Sequence, residues 1–197
     1  MRKVGITGNI GSGKSLVCSI FKSLDIPVFD ADQQTKLLYD ESDIRLKIQK
    51  YFDKSVYQAD GKLNKTKLAQ LIFNDPLAMQ FIRELMYPRL YKRFEEWAKE
   101  QQKQQCPYVL YEAALIFEND FQSHFDFTIL ITAPEALRVE RIKKRDKLTD
   151  SEIRQRMDHQ WPETKKQQMA DFVIQNDGKT MLIPQVLEVH RKLLVKA

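Results

Sequence analysis

Residues 8–15 read Gly-Asn-Ile-Gly-Ser-Gly-Lys-Ser, and what flanks them restricts the fold more than any other stretch of the chain. The pattern G-x-x-x-x-G-K-[ST] carries meaning only between a strand and a helix. Residues 2–7 supply a short strand. Val17, Ile20, Phe21 and Leu24 then fall at i, i+3, i+4 and i+7, the apolar stripe of a helix. Glycine at 8, 11 and 13 frees the backbone from the steric limits of a Cβ. The amides from Gly8 through Asn9, Ile10, Gly11, Ser12 and Gly13 to Leu16 can then turn inward as an anion-binding nest, above the positive end of the following helix. Lys14 is the point charge for β- and γ-phosphates, and Ser15 offers a hydroxyl to Mg²⁺. The loop therefore predicts binding of a nucleoside triphosphate. It says nothing of what receives the phosphate.

Four more apolar runs follow, at residues 26–29, 108–111, 127–131 and 172–174, separated by helical patterns. With the first strand they predict a five-stranded parallel sheet buried on both faces, in an α/β fold. Ligands of such sheets bind at the carboxyl ends of the strands. The residues that close each strand are thus the ones to weigh.

The chain between the second and third strands is too long for one crossover helix. Residues 63–73 read as a helix. Asp75-Pro76 opens a longer stretch carrying Met79, Ile82, Leu85 and Met86, which Pro88 interrupts before Leu90, Phe94 and Trp97 resume it. These segments predict an inserted helical lobe, and Phe94 with Trp97 read as its core. Residues 101–105 are polar enough for a solvated helix end.

At 197 residues one domain is expected. The division expected within it is a core at about 1–32, 106–140 and 168–197, an insertion at about 33–105 and a lid at about 141–167. Two cysteines, Cys18 and Cys106, argue against a disulfide framework. No apolar run approaches a membrane span, and no signal peptide is expected. A cytoplasmic enzyme is the expectation, with neither membrane nor nucleic acid as partner, as a monomer or small homo-oligomer. The net charge of +5 suits a protein that handles polyphosphates.

Acidic residues close two of the strands. After the second come Asp30 and Asp32: one carboxylate can orient an acceptor hydroxyl and take its proton, or either can simply cap the next helix. After the third comes Glu112, either a holder of Mg²⁺ or a solvent-exposed acid. Glu118, beyond the apolar residues 113–117, is ambiguous in the same way. Arg138, Arg141 and Arg145 share one face of a helix opened by Pro134 and Glu135. They read either as a phosphate clamp or as a solvated basic face, and Lys143, Lys144 and Lys147 add to their field. Thr149-Asp150-Ser151-Glu152 predicts another helix start, and two helices after the fourth strand suit a mobile lid. Asn176-Asp177-Gly178 is a turn signal that also sits where adenine contact is expected. His190 shares an apolar helical face and reads as packed, while His124 and His159 have no partner at metal-ligand spacing.

Taken in order, the 8–15 loop, Asp30-Ala31-Asp32, Gly61-Lys62-Leu63, Leu71-Ile72-Phe73-Asn74-Asp75, Tyr87-Pro88, residues 112–118, Arg145-Asp146, Gln160, Ala170-Asp171 and Asn176-Asp177-Gly178 closely resemble the dephospho-coenzyme A kinases. The resemblance covers nearly the whole chain. It implies a P-loop NTPase-like three-layer fold with a helical CoA-binding lobe and a lid. The implied reaction is transfer from ATP to the 3′-hydroxyl of dephospho-CoA, the last step of coenzyme A synthesis. It implies that Asp32 is the general base and that Lys14, Arg141 and Arg145 serve the moving phosphoryl group. ATP would bind along the 8–15 loop and Leu16 as far as Asn176 and Gly178. The acceptor would meet Asp30, Asp32, Tyr87, Leu115 and Glu118, and Mg²⁺ would bind Ser15 and Glu112. The chain departs from the family pattern at Leu16, where a Thr is usual, at Tyr87, where His precedes the proline, and at Ala114, where Pro is usual. A kinase of another small acceptor shares the loop and arginines. A GTP-binding switch would need an Asn-Lys-x-Asp step, and Asn64-Lys65-Thr66-Lys67 lacks the Asp.

Overall fold

The computed structural model describes residues 1–73, 75–146 and 148–195, and Phe73 by its backbone alone. Asn74 and Lys147, both singled out above, lie outside the described residues. The elements run β1 (Arg2–Gly8), α1 (Lys14–Lys22), β2 (Val28–Asp30), α2 (Ala31–Leu38), α3 (Ser42–Tyr51), α4 (Lys65–Phe73), α5 (Pro76–Lys103), β3 (Tyr108–Glu112), β4 (Phe127–Thr132), α6 (Glu135–Asp146), α7 (Asp150–Asp158), α8 (Glu163–Gln167), β5 (Phe172–Gln175) and α9 (Leu182–Val195). The five strands form one sheet in the order β2-β3-β1-β4-β5, and every neighbouring pair is parallel.

The chain divides into two compact units, Ala31–Trp97 on one side and Met1–Asp30 with Ala98–Ala197 on the other. The second holds the sheet. Alternate residues of its strands, Val4, Ile6, Ile129 and Ile131, meet Val17, Cys18 and Phe21 of α1 and Val186, Val189 and Leu193 of α9 in one apolar cluster. Full burial of a side chain such as Phe21 contributes about 2–3 kcal/mol. His190 packs as its helical face predicted. It lies beside Tyr108, whose hydroxyl is 2.7 Å from Nδ1.

β2 starts two residues later than the apolar run suggested. The Ile26 amide is spent on the Phe21 carbonyl, at 3.1 Å, closing the turn after α1. Pro27 has no N–H to give to a ladder, and only its carbonyl pairs, with the Leu110 amide at 2.9 Å. The far edge of the sheet is blunted by a side chain. Gln185 accepts from the Gln175 amide at 2.8 Å and donates to its carbonyl at 2.9 Å, as a neighbouring strand would.

In the Ala31–Trp97 unit, α4 begins at Lys65 rather than at Leu63, because Leu63 forms a bridge with Tyr57 and Asn64 caps the helix through the Lys67 amide at 3.0 Å. The larger departure is α5. Pro88 was expected to divide it, yet α5 runs unbroken through that proline. A proline removes one helical hydrogen bond and crowds the carbonyl four residues back. Here the buried row Leu85, Met86, Leu90 and Phe94 continues on both sides of it, so packing holds the helix together across the lost bond. Among the described residues, no helix is long and apolar enough to cross a membrane.

Candidate active site

The carboxyl ends of β1, β3 and β4 open onto the loop at 8–15. The nest is closed by its own backbone, with the Ser12 amide donating to Asn9 O at 3.0 Å and the Leu16 amide to Gly13 O at 3.1 Å. Gly13 caps α1 at φ 93°, a conformation that L side chains avoid. A Cβ there would stand 2.2 Å from Asn176 Nδ2. Lys14 folds back across the loop and donates to Gly8 O at 3.1 Å.

Two residues far along the chain brace the loop from behind. Arg141 donates to Gly11 O at 3.3 Å and Ser12 O at 3.4 Å, and its other nitrogen to Asn176 O and Oδ1 at 3.2 and 3.1 Å. Asn176 Nδ2 donates to Ser12 O at 2.7 Å. Asp177 completes the predicted turn by accepting from the Lys179 and Thr180 amides, and these bonds hold its carboxyl below the usual carboxylate range.

The three arginines of α6 do not act alike. Arg141 and Arg145 line a small cavity of about 160 Å³ together with Lys14, Ser15 and Leu16. Arg138 is buried instead, and its Nε donates to Ala133 O at 3.2 Å. Arg145 pairs with Asp146 at 2.7 and 2.8 Å, which pulls the Asp146 carboxyl down. The predicted helix start at Thr149 is present as a full capping box with Glu152. A larger cavity of about 880 Å³ lies between α6 and α7, against Asn9 and Trp161.

On the other flank, Ser15 Oγ donates to Glu112 Oε1 at 3.0 Å. Glu112 stands in register with Asp30, so two acids close adjacent strands. Burial pushes the Cys18 thiol upward, and the Glu112 carboxylate beside it adds to the effect, so Cys18 is held as a neutral thiol. Two hard oxygen donors fit Mg²⁺, which takes few protein ligands and completes its shell with phosphate oxygens and water. Among the described residues, no group of three or more His, Cys, Asp or Glu is placed to hold a metal without substrate.

The remaining predicted residues are distributed as follows. Asp32 lies in the first turn of α2, two residues beyond the end of β2. Tyr87 is on α5, in the Ala31–Trp97 unit, near Tyr39; burial raises the Tyr39 phenol to about 12. Leu115 is half-buried in the bend after β3. Gly178 holds φ 80° in its turn. Glu118 is ion-paired with Lys166 and accepts from the Trp161 amide at 3.0 Å. Lys166 escaped the sequence reading altogether. It sits among Glu163, Thr164, Lys165 and Gln167, a run that reads as solvent-facing, and nothing in it marks one lysine as buried.

The dephospho-CoA kinase family model (CoaE) matches residues 2–181. The chain belongs to the dephospho-CoA kinase family. It is 35% identical over 188 residues to a dephospho-CoA kinase of Bacteroides fragilis, a match covering 95% of this chain and 90% of the relative. Among solved structures it is similar to TT1252 from Thermus thermophilus, with a TM-score of 0.86 and 29% identity over 98% of this chain and 97% of the other. Its fold is also that of a dephospho-CoA kinase from Campylobacter jejuni, with a TM-score of 0.70 at 24% identity over 98% of each chain. The activity is that of the family: ATP-dependent phosphorylation of dephospho-CoA, the final step of CoA biosynthesis.

Proposed function

We propose that this chain moves the γ-phosphoryl group of ATP to the 3′-hydroxyl of dephospho-CoA with the following division of labour. ATP lies over Gly8, Asn9, Ile10, Gly11, Ser12, Gly13, Lys14, Ser15 and Leu16, with its base toward Asn176 and Gly178. Ser15 and Glu112 would hold Mg²⁺, which when bound would supply positive charge to offset that of the phosphates. Asp30, Tyr87, Leu115 and Glu118 meet the acceptor. Asp32 takes the proton from the 3′-hydroxyl as its oxygen bonds to the γ-phosphorus, and the bond to the β-phosphate oxygen breaks to leave ADP. Lys14, Arg141 and Arg145 neutralise the oxygens of the phosphoryl group in flight. Loss of one such group raises the barrier by about 3 kcal/mol. The segment at about 141–167 acts as a lid, and the helical insertion grips the bulky acceptor. The enzyme works in the cytoplasm, as a monomer or a small homo-oligomer.

The observation that carries this reading is the cavity shared by Lys14, Ser15, Arg141 and Arg145, since it brings the loop's lysine and hydroxyl together with two guanidinium groups. An acceptor panel tests it. ATP is offered with dephospho-CoA, AMP, CMP or shikimate, and ADP formation is followed. Turnover with dephospho-CoA alone is expected, and its absence there overturns the assignment.

A further inference from the structure

Lys166 has no exposed surface, although it lies in a five-residue helix of polar and charged residues. Its ammonium is ion-paired with Glu118 and donates to Asn9 Oδ1 at 2.6 Å. The same residues are joined a second time. Asn9 Nδ2 donates to Trp161 O at 3.3 Å, the Ile10 amide to Gln160 Oε1 at 2.7 Å, and the Trp161 amide to Glu118 Oε1 at 3.0 Å. The segment 160–166 is thereby tied both to the opening turn of the loop and to the chain beyond β3.

Stability alone is a weak reason for such a pair, because apolar residues of similar volume do as well or better in its place. Burial pulls the Lys166 ammonium below its usual range. Glu118 opposes this, while Lys14 and Arg138 add to it. The link with Asn9 is also specific. Asn9 is one of the two residues that enter the nest between Gly8 and Gly11, and both are held by this one segment.

We propose that Lys166 is a positioning residue of the phosphoryl transfer: through Asn9 it holds the first turn of the 8–15 loop in the geometry that receives the phosphates of ATP. It acts through the loop and does not touch substrate. The inference rests on the reading that ATP occupies this loop.

The test uses the full chain and ATP binding by calorimetry. Lys166→Met alone strands the Glu118 charge and can unfold the protein, so Lys166→Met/Glu118→Gln, which removes both charges, is the decisive variant. It is expected to melt near the parent and to bind ATP about tenfold more weakly, the scale of one lost hydrogen bond to a charged group. Asn9→Ala is expected to lose about the same tenfold, and to lose nothing more when added to the double variant, as coupled residues do. A well-folded double variant with parental ATP affinity overturns the proposal, as does full additivity with Asn9→Ala. Lys14→Ala separates the two readings. If it leaves ATP binding intact, the loop assignment itself fails. If it abolishes binding while the double variant retains it, only the role of Lys166 fails.

Discussion

Between residues 8 and 15 the loop turns on its own backbone, and side chains from elsewhere in the chain hold that backbone in place. Arg141 and Asn176 take the carbonyls of Gly11 and Ser12, and Asn9 and Ile10 are fixed by Lys166 and Gln160. Between Ala31 and Trp97 side chains instead join the helices to one another and to the loops between them. Tyr51 stacks on Phe81 with ring centroids 4.0 Å apart, Arg93 and Arg89 pair with Glu41 and Asp43, and the Tyr57 hydroxyl donates to Tyr39 O at 2.9 Å. A phosphate is the same in every nucleotide, so the donor side can be built from invariant backbone geometry. A large and particular acceptor, which the helical insertion is proposed to grip, calls for side chains. The contrast predicts that substitutions separate into donor effects and acceptor effects.

The strongest separation is expected at Asp32. Asp32→Asn keeps the size of the side chain and removes the proposed base, so kcat should fall about 10³-fold while ATP affinity by calorimetry stays at the parental level. Near-parental turnover in a folded variant would remove Asp32 from the mechanism. Gly13→Ala is the converse case. A side chain at φ 93° and 2.2 Å from Asn176 Nδ2 forces that brace apart, and the expected cost is about 10²-fold in ATP affinity. Equal losses of ATP affinity and of dephospho-CoA affinity would erase the distinction between the two sides. Tyr87→Phe should raise the KM for dephospho-CoA about fivefold, the value of one hydrogen bond, with the KM for ATP unchanged in steady-state assays. A change in the ATP constant instead would move Tyr87 to the donor side.

The smallest effect belongs to neither site. Burial holds the His190 imidazole below its ordinary value of 6.5. Above pH 6.5 the side chain is neutral in both the folded and the unfolded chain. As pH falls below that point the unfolded chain takes the proton first, so stability is lost down through the lower folded value. Denaturant midpoints measured on both sides of pH 6.5 should show this slope, and His190→Gln should flatten part of it while leaving both substrate constants alone.

All five strands, the nest and the capping box at Thr149 were legible in the sequence because each is specified locally, by a run, a motif or a four-residue pattern. Pro88 misled because the proline penalty is local, whereas the row of buried residues that overrides it spans both sides of α5. The arginines of α6 show a second limit. Spacing places Arg138, Arg141 and Arg145 on one helical face, but it cannot tell which is spent on a backbone carbonyl ahead of the helix and which reach the loop. The cluster of Asn9, Glu118 and Lys166 shows a third. Its members are more than forty residues apart, and no local signal distinguishes a buried lysine from the solvated one beside it.

The most direct test follows the phosphorus. Parental enzyme, ATP, Mg²⁺ and dephospho-CoA are mixed, and the products are resolved by ³¹P NMR and mass spectrometry. The account predicts ADP and coenzyme A in equal amounts, with the new phosphate a monoester on the 3′ carbon of the ribose. ADP and inorganic phosphate with dephospho-CoA unchanged, or a phosphate attached elsewhere on the acceptor, would contradict it.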